Sequence, residues 1–239
     1  MSLVASLPMY RFAHTAEAWD ALWDAIAGAL RVAGYDAPAK LTDPADLDAH
    51  WRAPNLLLSQ TCALPYRQGL NTAAHILGSW DFGLKSCPAG MYNSALIRRQ
   101  GEARPWRTLL GSGRVAVNAR DSQSGYQVIC DLAGAPGDRE VLTGAHLASV
   151  NAVRQGTADI CAVDAESWRL IVEAKGGALG VEVCHRSDPT PGLPLITAKG
   201  RNVAKLRDVL ASAVKNADRT LLATLHIRGF VAAEDGTYF

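Results

Sequence analysis

Apolar residues recur along this chain with two periods. Trp19, Leu22, Trp23, Ile26 and Leu30 fall at i, i+3, i+4, i+7 and i+11, the spacing of one helical face. Thr15 stands where an N-cap is expected and Gly34 closes the pattern. Val203, Leu206, Leu210 and Val214 predict a second such helix. Short apolar runs bounded by turn residues predict strands: "LVASL", stopped by Pro8, then "NLLLS", "SALIRR" and "LGVEVCHRS". Between them, "GLNTAAHIL" and "SGYQVICDLAG" read as helices, and "WRTLLGSGRVAVN" as a short helix and a strand. "EVLTGAHLASVNAVRQG" gives a strand or loop and a helix closed by Gly156, "ADICAVDAESWRLI" a strand and a helix. "DPTPGLPLITAK" reads as a proline-rich crossing and "RTLLATLHIRGF" as helical.

Strand, loop, helix, strand is the rhythm of a parallel α/β sheet. Two such units, joined near residues 90 to 94 and again near 187 to 194, make a two-lobed protein. Residues 1–92 and 190–239 form one lobe, and residues 93–189 a second lobe inserted in it. The expected architecture has a ligand cleft between the lobes and two hinge crossings. In open α/β sheets ligands sit beyond the carboxyl ends of the strands, so the loops to search are "PMYRF", "SQTC", "NARDSQSG", "TGAH" and "VDAES".

Composition narrows the functions. The 239 residues carry a formal charge of +1 with no Lys/Arg-rich run, which excludes the electrostatic footprint of a nucleic-acid binder. No apolar stretch approaches the roughly 20 residues that span a bilayer, so no membrane insertion is expected. The sequence as written shows no secretion leader; a cytoplasmic location and export followed by removal of a leader both fit it. Five cysteines at wide spacings, without C-x-x-C, suggest neither zinc nor a redox pair, and no metal or cofactor is expected. Cys130, Cys161 and Cys184 read as small buried hydrophobes, whereas Cys62 and Cys87 lie in loop-like stretches and could approach each other.

The chemistry gathers in three loops. In "VAVNARDSQSGYQV" a strand delivers Ser122, Gln123, Ser124 and Gly125 to a helix start, where spare backbone N–H groups, the helix dipole and two hydroxyls suit an oxyanion. One serine can instead simply cap the helix. If a helix starts near Thr143, His146 and Ser149 share one face of its first turns; the alternative is a partly buried histidine with Thr143 as cap. Asp164 ends a strand, as a ligand acceptor or as the cap of "AESWRLI". Tyr10 and Tyr92 offer phenolic donors or packed rings. Arg11 and Arg120 are the only cations in these loops, so an anion would be held mainly by neutral dipoles.

Enzyme signatures are weak by comparison. There is no P-loop and no H-E-x-x-H, and "GSGRVA" precedes a strand instead of following one. Ser124, His146 and Asp164 have the residue types of a nucleophile, base and orienting acid, but the G-x-S-x-G elbow lacks its first glycine. A hydrolase therefore ranks below a binding protein.

The order "ASLPMY", "LLLSQTC", "GMYNSALIRR", "VAVNARDSQSGY", "TGAHLASVNAVRQGTADICAVDAESW", "TPGLPLITA" resembles the phosphate, phosphite and phosphonate substrate-binding proteins of ABC transporters. The likeness runs from about residue 3 to about residue 235. It implies the two-lobed type II periplasmic-binding-protein fold, a small oxyanion ligand, an ABC permease as partner, a monomer and no catalysis. The implied ligand contacts are Ser122, Ser124, Gly125, His146 and Ser149, with Asp164 and Tyr92, and, on a looser match, Tyr10, Gln60 and Thr61. Relatives often read S-T-S-G where this chain has Gln123, which removes one hydroxyl. The alternatives are a cytoplasmic enzyme or a ligand sensor on the same scaffold, acting on a small acidic metabolite.

Overall fold

A computed structural model describes residues 2–177 and 179–239. Its strands are β1 (Val4–Ala5), β2 (Leu56–Gln60), β3 (Ala74–Asp81), β4 (Met91–Tyr92), β5 (Ser94–Arg99), β6 (Val115–Val117), β7 (Glu140–Leu142), β8 (Ile160–Asp164), β9 (Val181–Arg186), β10 (Thr190–Pro191), β11 (Leu195–Ala198) and β12 (Gly229–Ala232). The helices are α1 (Ala16–Val32), α2 (Leu47–Trp51), α3 (Ala63–Arg67), α4 (Trp106–Ser112), α5 (Val128–Ala133), α6 (His146–Gln155), α7 (Ala165–Lys175), α8 (Val203–Asn216) and α9 (Arg219–Thr224). The chain divides into unit 1, Met1–Met91 with Pro191–Phe239, and unit 2, Tyr92–Thr190.

In unit 1 the strand order is β1-β2-β11-β3-β12. Only β1 and β2 are parallel; β11 runs antiparallel to β2 and β3, and β12 antiparallel to β3. The sheet is thus mixed, not parallel throughout. The α1 face Trp19, Leu22, Trp23, Ile26 and Leu30 is fully buried, and the two indole N–H groups donate to the carbonyls of Tyr10 and Pro38. Burying two tryptophans this way keeps their polar edges satisfied. Thr15 stands at the N-cap position of α1 as expected, but its side chain makes no capping bond: its hydroxyl accepts from the Phe12 amide and donates within the preceding turn to Tyr10 and Phe12. Asn202 caps α8 through the Lys205 amide, and Leu206, Leu210 and Val214 are buried as the periodicity predicts.

Three readings fail in unit 1. Residues 69–77 are not a helix: Leu70–Thr72 make one tight turn and β3 begins at Ala74. Gly69 has φ +130°, a conformation that starts a turn and not a helix. As β3 lies between β11 and β12 with Ala74, Ile76, Leu77, Ser79 and Trp80 all buried, it shows none of the alternation of a half-exposed strand. The "LITA" of the supposed crossing is β11, in the middle of the sheet. Finally α9 ends at Thr224, His226 takes a left-handed φ of +56°, and the chain turns into β12. Of the cysteines read as buried hydrophobes, Cys161 is buried, and Cys130 and Cys184 are half-buried.

Unit 2 has the order β7-β6-β8-β5-β9. Here β6 is parallel to both neighbours, with Val117 level with Leu142 and Ala116 with Cys161, while β5 is antiparallel to β8 and β9. Three adjacent parallel strands therefore end on one edge. Val117 leads into the 118–122 loop, Leu142 into α6, and Asp164 into α7.

Candidate functional site

The first of these loops ends in a widened helical turn. Ser122 occupies the N-cap position, and its Oγ accepts from the Gly125 amide at 3.0 Å. Its carbonyl accepts from both Tyr126 N (3.1 Å) and Gln127 N (3.0 Å), so Gln123–Gln127 form a π-helical turn that runs on into α5. Single π turns of this kind are frequent at binding sites, since they re-aim the side chains of one turn. Ser122 thus caps the helix, the simpler of the two roles the sequence offers.

Ser124 points elsewhere: its Oγ lies 3.1 Å from His146 Nε2. That same nitrogen is 3.4 Å from Asp164 Oδ2. Asp164 Oδ1 accepts from the Ser167 amide at 2.8 Å, so the aspartate caps α7 and faces the histidine at once. A lone pair on Nε2 would oppose the carboxylate, which assigns the imidazole proton to Nε2. Ser124 then accepts from this N–H, which leaves its hydroxyl proton to be donated elsewhere. His146 Nδ1 has no hydrogen-bond partner among the described residues.

The second loop corrects a boundary. Helix α6 starts at His146 itself, with Ala145 in the cap position, and not at Thr143. Thr143 instead bonds to Val117 through its amide (2.8 Å) and hydroxyl (3.0 Å), tying the end of β7 to the end of β6. Ser149 is fully buried with its Oγ 2.6 Å from Thr143 Oγ1, so it braces the loop that carries His146.

Gly125 has a reason that the sequence does not display. A Cβ there would lie 1.7 Å from Asn118 Oδ1 and 3.2 Å from His146 Cε1. Only a bare Cα lets Asn118 and His146 close over the helix start. Asn118 is the residue that sequence reasoning missed, and its buried Oδ1 has no hydrogen-bond partner among the described residues. Its position directly after a strand and before the serine turn is the signal that could have found it. The two arginines each have an acidic partner: Arg120 pairs with Glu140 at 2.9 Å and Arg11 with Asp20 at 2.8 Å.

The remaining candidates sit as follows. In unit 2, Tyr92 is buried in β4, which pairs with β10 as a short ribbon. In unit 1, Tyr10 is buried edge-on against Phe82, ring centroids 4.9 Å apart, the arrangement of a packed ring. Gln60 Nε2 donates to Leu193 O at 3.4 Å, while its buried Oε1 has no hydrogen-bond partner among the described residues. Thr61 is buried, and its amide donates to Pro194 O.

The profile of a family described as ABC transporter, phosphonate, periplasmic substrate-binding protein matches residues 4–238. The chain belongs to this phosphonate-binding family. Its members bind small phosphonates and work with an ABC permease. No curated protein sequence matches the chain. Among solved structures, PhnD1 from Prochlorococcus marinus in complex with methylphosphonate superposes with TM-score 0.77 at 14% identity, covering 99% of this chain and 94% of that one. A Xanthomonas citri protein bound to chloride gives 0.72 at 16% identity, over 99% and 93%. A binding-protein component of a phosphonate ABC transporter from Pseudomonas aeruginosa gives 0.72 at 18%, over 99% and 83%. These likenesses show the two-lobed α/β fold of periplasmic binding proteins. Among the described residues no helix is long and apolar enough to cross a membrane.

In this phosphonate-family chain the electrostatics of His146 follow from its packing. Its side chain is 15% exposed. Burial lowers its pKa from the ordinary value, outweighing the Asp164 carboxylate and the Ala162 carbonyl, which act the other way. The unfolded chain thus takes up this proton at higher pH than the folded one. The ring's share of stability is complete above about pH 6.5 and is lost as pH falls through the lowered folded value. Melting temperature should accordingly drop on acidification below about pH 6.5 more steeply in the wild type than in His146→Gln. His50 and His185, also lowered by burial, contribute equally to both proteins. Parallel pH curves would show that the imidazole is not desolvated as described.

Proposed function

We propose that the chain captures a small phosphonate-like oxyanion, as a single chain and without altering it, at the edge where β6, β7 and β8 end. The observation that carries this reading is the sharing of His146 Nε2 by Ser124 and Asp164 above the widened helix turn. The arrangement sets the Ser124 hydroxyl as a donor, beside the dipole of the helix that Ser122 opens. Gly125 lets the ligand-facing residues close in, and Thr143 and Ser149 hold the histidine's loop. Asp164, an acceptor only, favours a ligand that keeps a proton over a fully ionised one.

The same geometry speaks against hydrolysis. A Ser-His-acid triad uses both ring nitrogens, one toward the nucleophile and the other toward the acid. Here serine and aspartate meet the same nitrogen, and Nδ1 has neither. The acid cannot support proton withdrawal from Ser124 through the ring.

Calorimetric titration with methylphosphonate, phosphite and phosphate, followed by phosphorus NMR of the recovered ligand, tests the proposal. Saturable binding of at least one of them, with the ligand unchanged, is the expected result. Turnover, or heat from none of the three, would overturn it.

A further inference from the structure

One face of the unit 2 sheet changes character at its last rung. Residues directly opposite each other on antiparallel strands put their side chains on the same face, and every second residue along a strand returns to it. Across β5 and β8, Leu96 is level with Ala162 and Ser94 with Asp164, so these two rungs share a face. Leu96 and Ala162 belong to the apolar cluster that Val128 and Ile129 of α5 complete. One rung further on the pair is polar, although Ser94 at 1% exposure and Asp164 at 2% are as buried as the rung before.

Burying a polar group costs free energy unless a partner replaces the lost water. Asp164 has its partners, the Ser167 amide and the His146 ring. The Ser94 hydroxyl makes no hydrogen bond among the described residues. Its backbone is nevertheless held on both sides, by Ser187 N donating to Ser94 O and by Ser94 N donating to Ser187 Oγ, each at 2.9 Å. The residue is thus firmly placed, with a proton to give. Space adjoins it as well: Ser94, Val128 and Leu132 are among the residues that line a cavity of about 320 Å³ within unit 2.

We propose that Ser94 is a further ligand contact, its hydroxyl donating to an oxyanion oxygen beside Asp164. The inference rests on the oxyanion reading above and adds to it a donor from β5, outside the three loops that carry the rest of the site. Directly opposite positions hold their Cβ atoms about 4.5–5.5 Å apart, so one ligand oxygen can meet both side chains. That oxygen is a protonated one. Its proton goes to the Asp164 carboxylate, an acceptor only, while its lone pair accepts from Ser94.

The test compares the whole wild-type protein with Ser94→Ala and Ser94→Thr, by calorimetry with methylphosphonate, phosphite and phosphate and by thermal melting without ligand. Because the hydroxyl holds nothing together in the free protein, Ser94→Ala should melt no lower than the wild type. It should nevertheless bind about tenfold more weakly, where the ranges for neutral and charged hydrogen bonds meet. Ser94→Thr keeps the hydroxyl, and the cavity has room for its methyl, so it should recover most of the lost affinity. Wild-type affinity in Ser94→Ala, a loss matched by a lowered melting temperature, or a Ser94→Thr variant as weak as Ser94→Ala would each overturn the inference while leaving oxyanion binding intact. If the wild type binds none of the three ligands, the oxyanion reading falls and takes the inference with it.

Discussion

Gly125→Ala should cost about 1–3 kcal/mol of stability and reduce phosphonate affinity by about tenfold or more. The added methyl would sit 1.7 Å from Asn118 Oδ1, well inside contact distance, so the asparagine has to rotate out. His146 Cε1, 3.2 Å from the same point, has to yield as well. A shift of a few tenths of an ångström at the ring lengthens the Nε2 contacts to Ser124 and Asp164, at 3.1 and 3.4 Å, on which the donor arrangement depends. Chemical denaturation read with and without methylphosphonate measures both effects. Unaltered midpoints in both conditions would mean that the helix start is looser than its packing implies.

His146→Ala is expected to weaken phosphonate binding by roughly 10- to 150-fold, the range of a hydrogen bond to a charged group. The ring's removal withdraws the N–H that orients Ser124 and leaves Asp164, 2% exposed, with the Ser167 amide but no imidazole to face. The buried carboxylate would then lie next to the bound anion without the ring between them. The loss should therefore exceed that in His146→Gln, whose amide nitrogen can still donate to either oxygen. Calorimetry decides it: equal affinity in wild type and His146→Ala would remove the histidine from the site.

What the sequence revealed depended on whether one residue pattern had one structural meaning. The helices α1 and α8 were legible because a half-exposed helix has to display its period, as Trp19 to Leu30 do. Strand β3 was not, since burial on both faces erases alternation, and "AAHIL" is as good a helix as a strand until β11 and β12 are seen beside it. "LITA" between Pro194 and Lys199 was hidden for a related reason: four residues carry no period, and the prolines that precede them suit a loop equally well. At the site, the strand-to-helix position of Ser122 was readable, because a cap is a local property. That Ser124 and Asp164 meet the same ring nitrogen was not, since it depends on β6, β7 and β8 ending side by side. Nor was the partner of Gly125: a glycine that makes room for an asparagine seven residues earlier looks in sequence like any other glycine at a helix start.

The place of β11 bears on how the polypeptide is made. Residues 195–198 fill the slot between β2 and β3, so during synthesis those two strands wait, edges unsatisfied, for more than a hundred residues to emerge. Unit 2 is contiguous, from Tyr92 to Thr190, and can fold in the meantime. A chain that folded as it emerged would therefore pass through a half-built stage with one finished unit and one open sheet. In that interval unit 1 would be the part exposed to chaperones and to aggregation, until β11 and β12 close it.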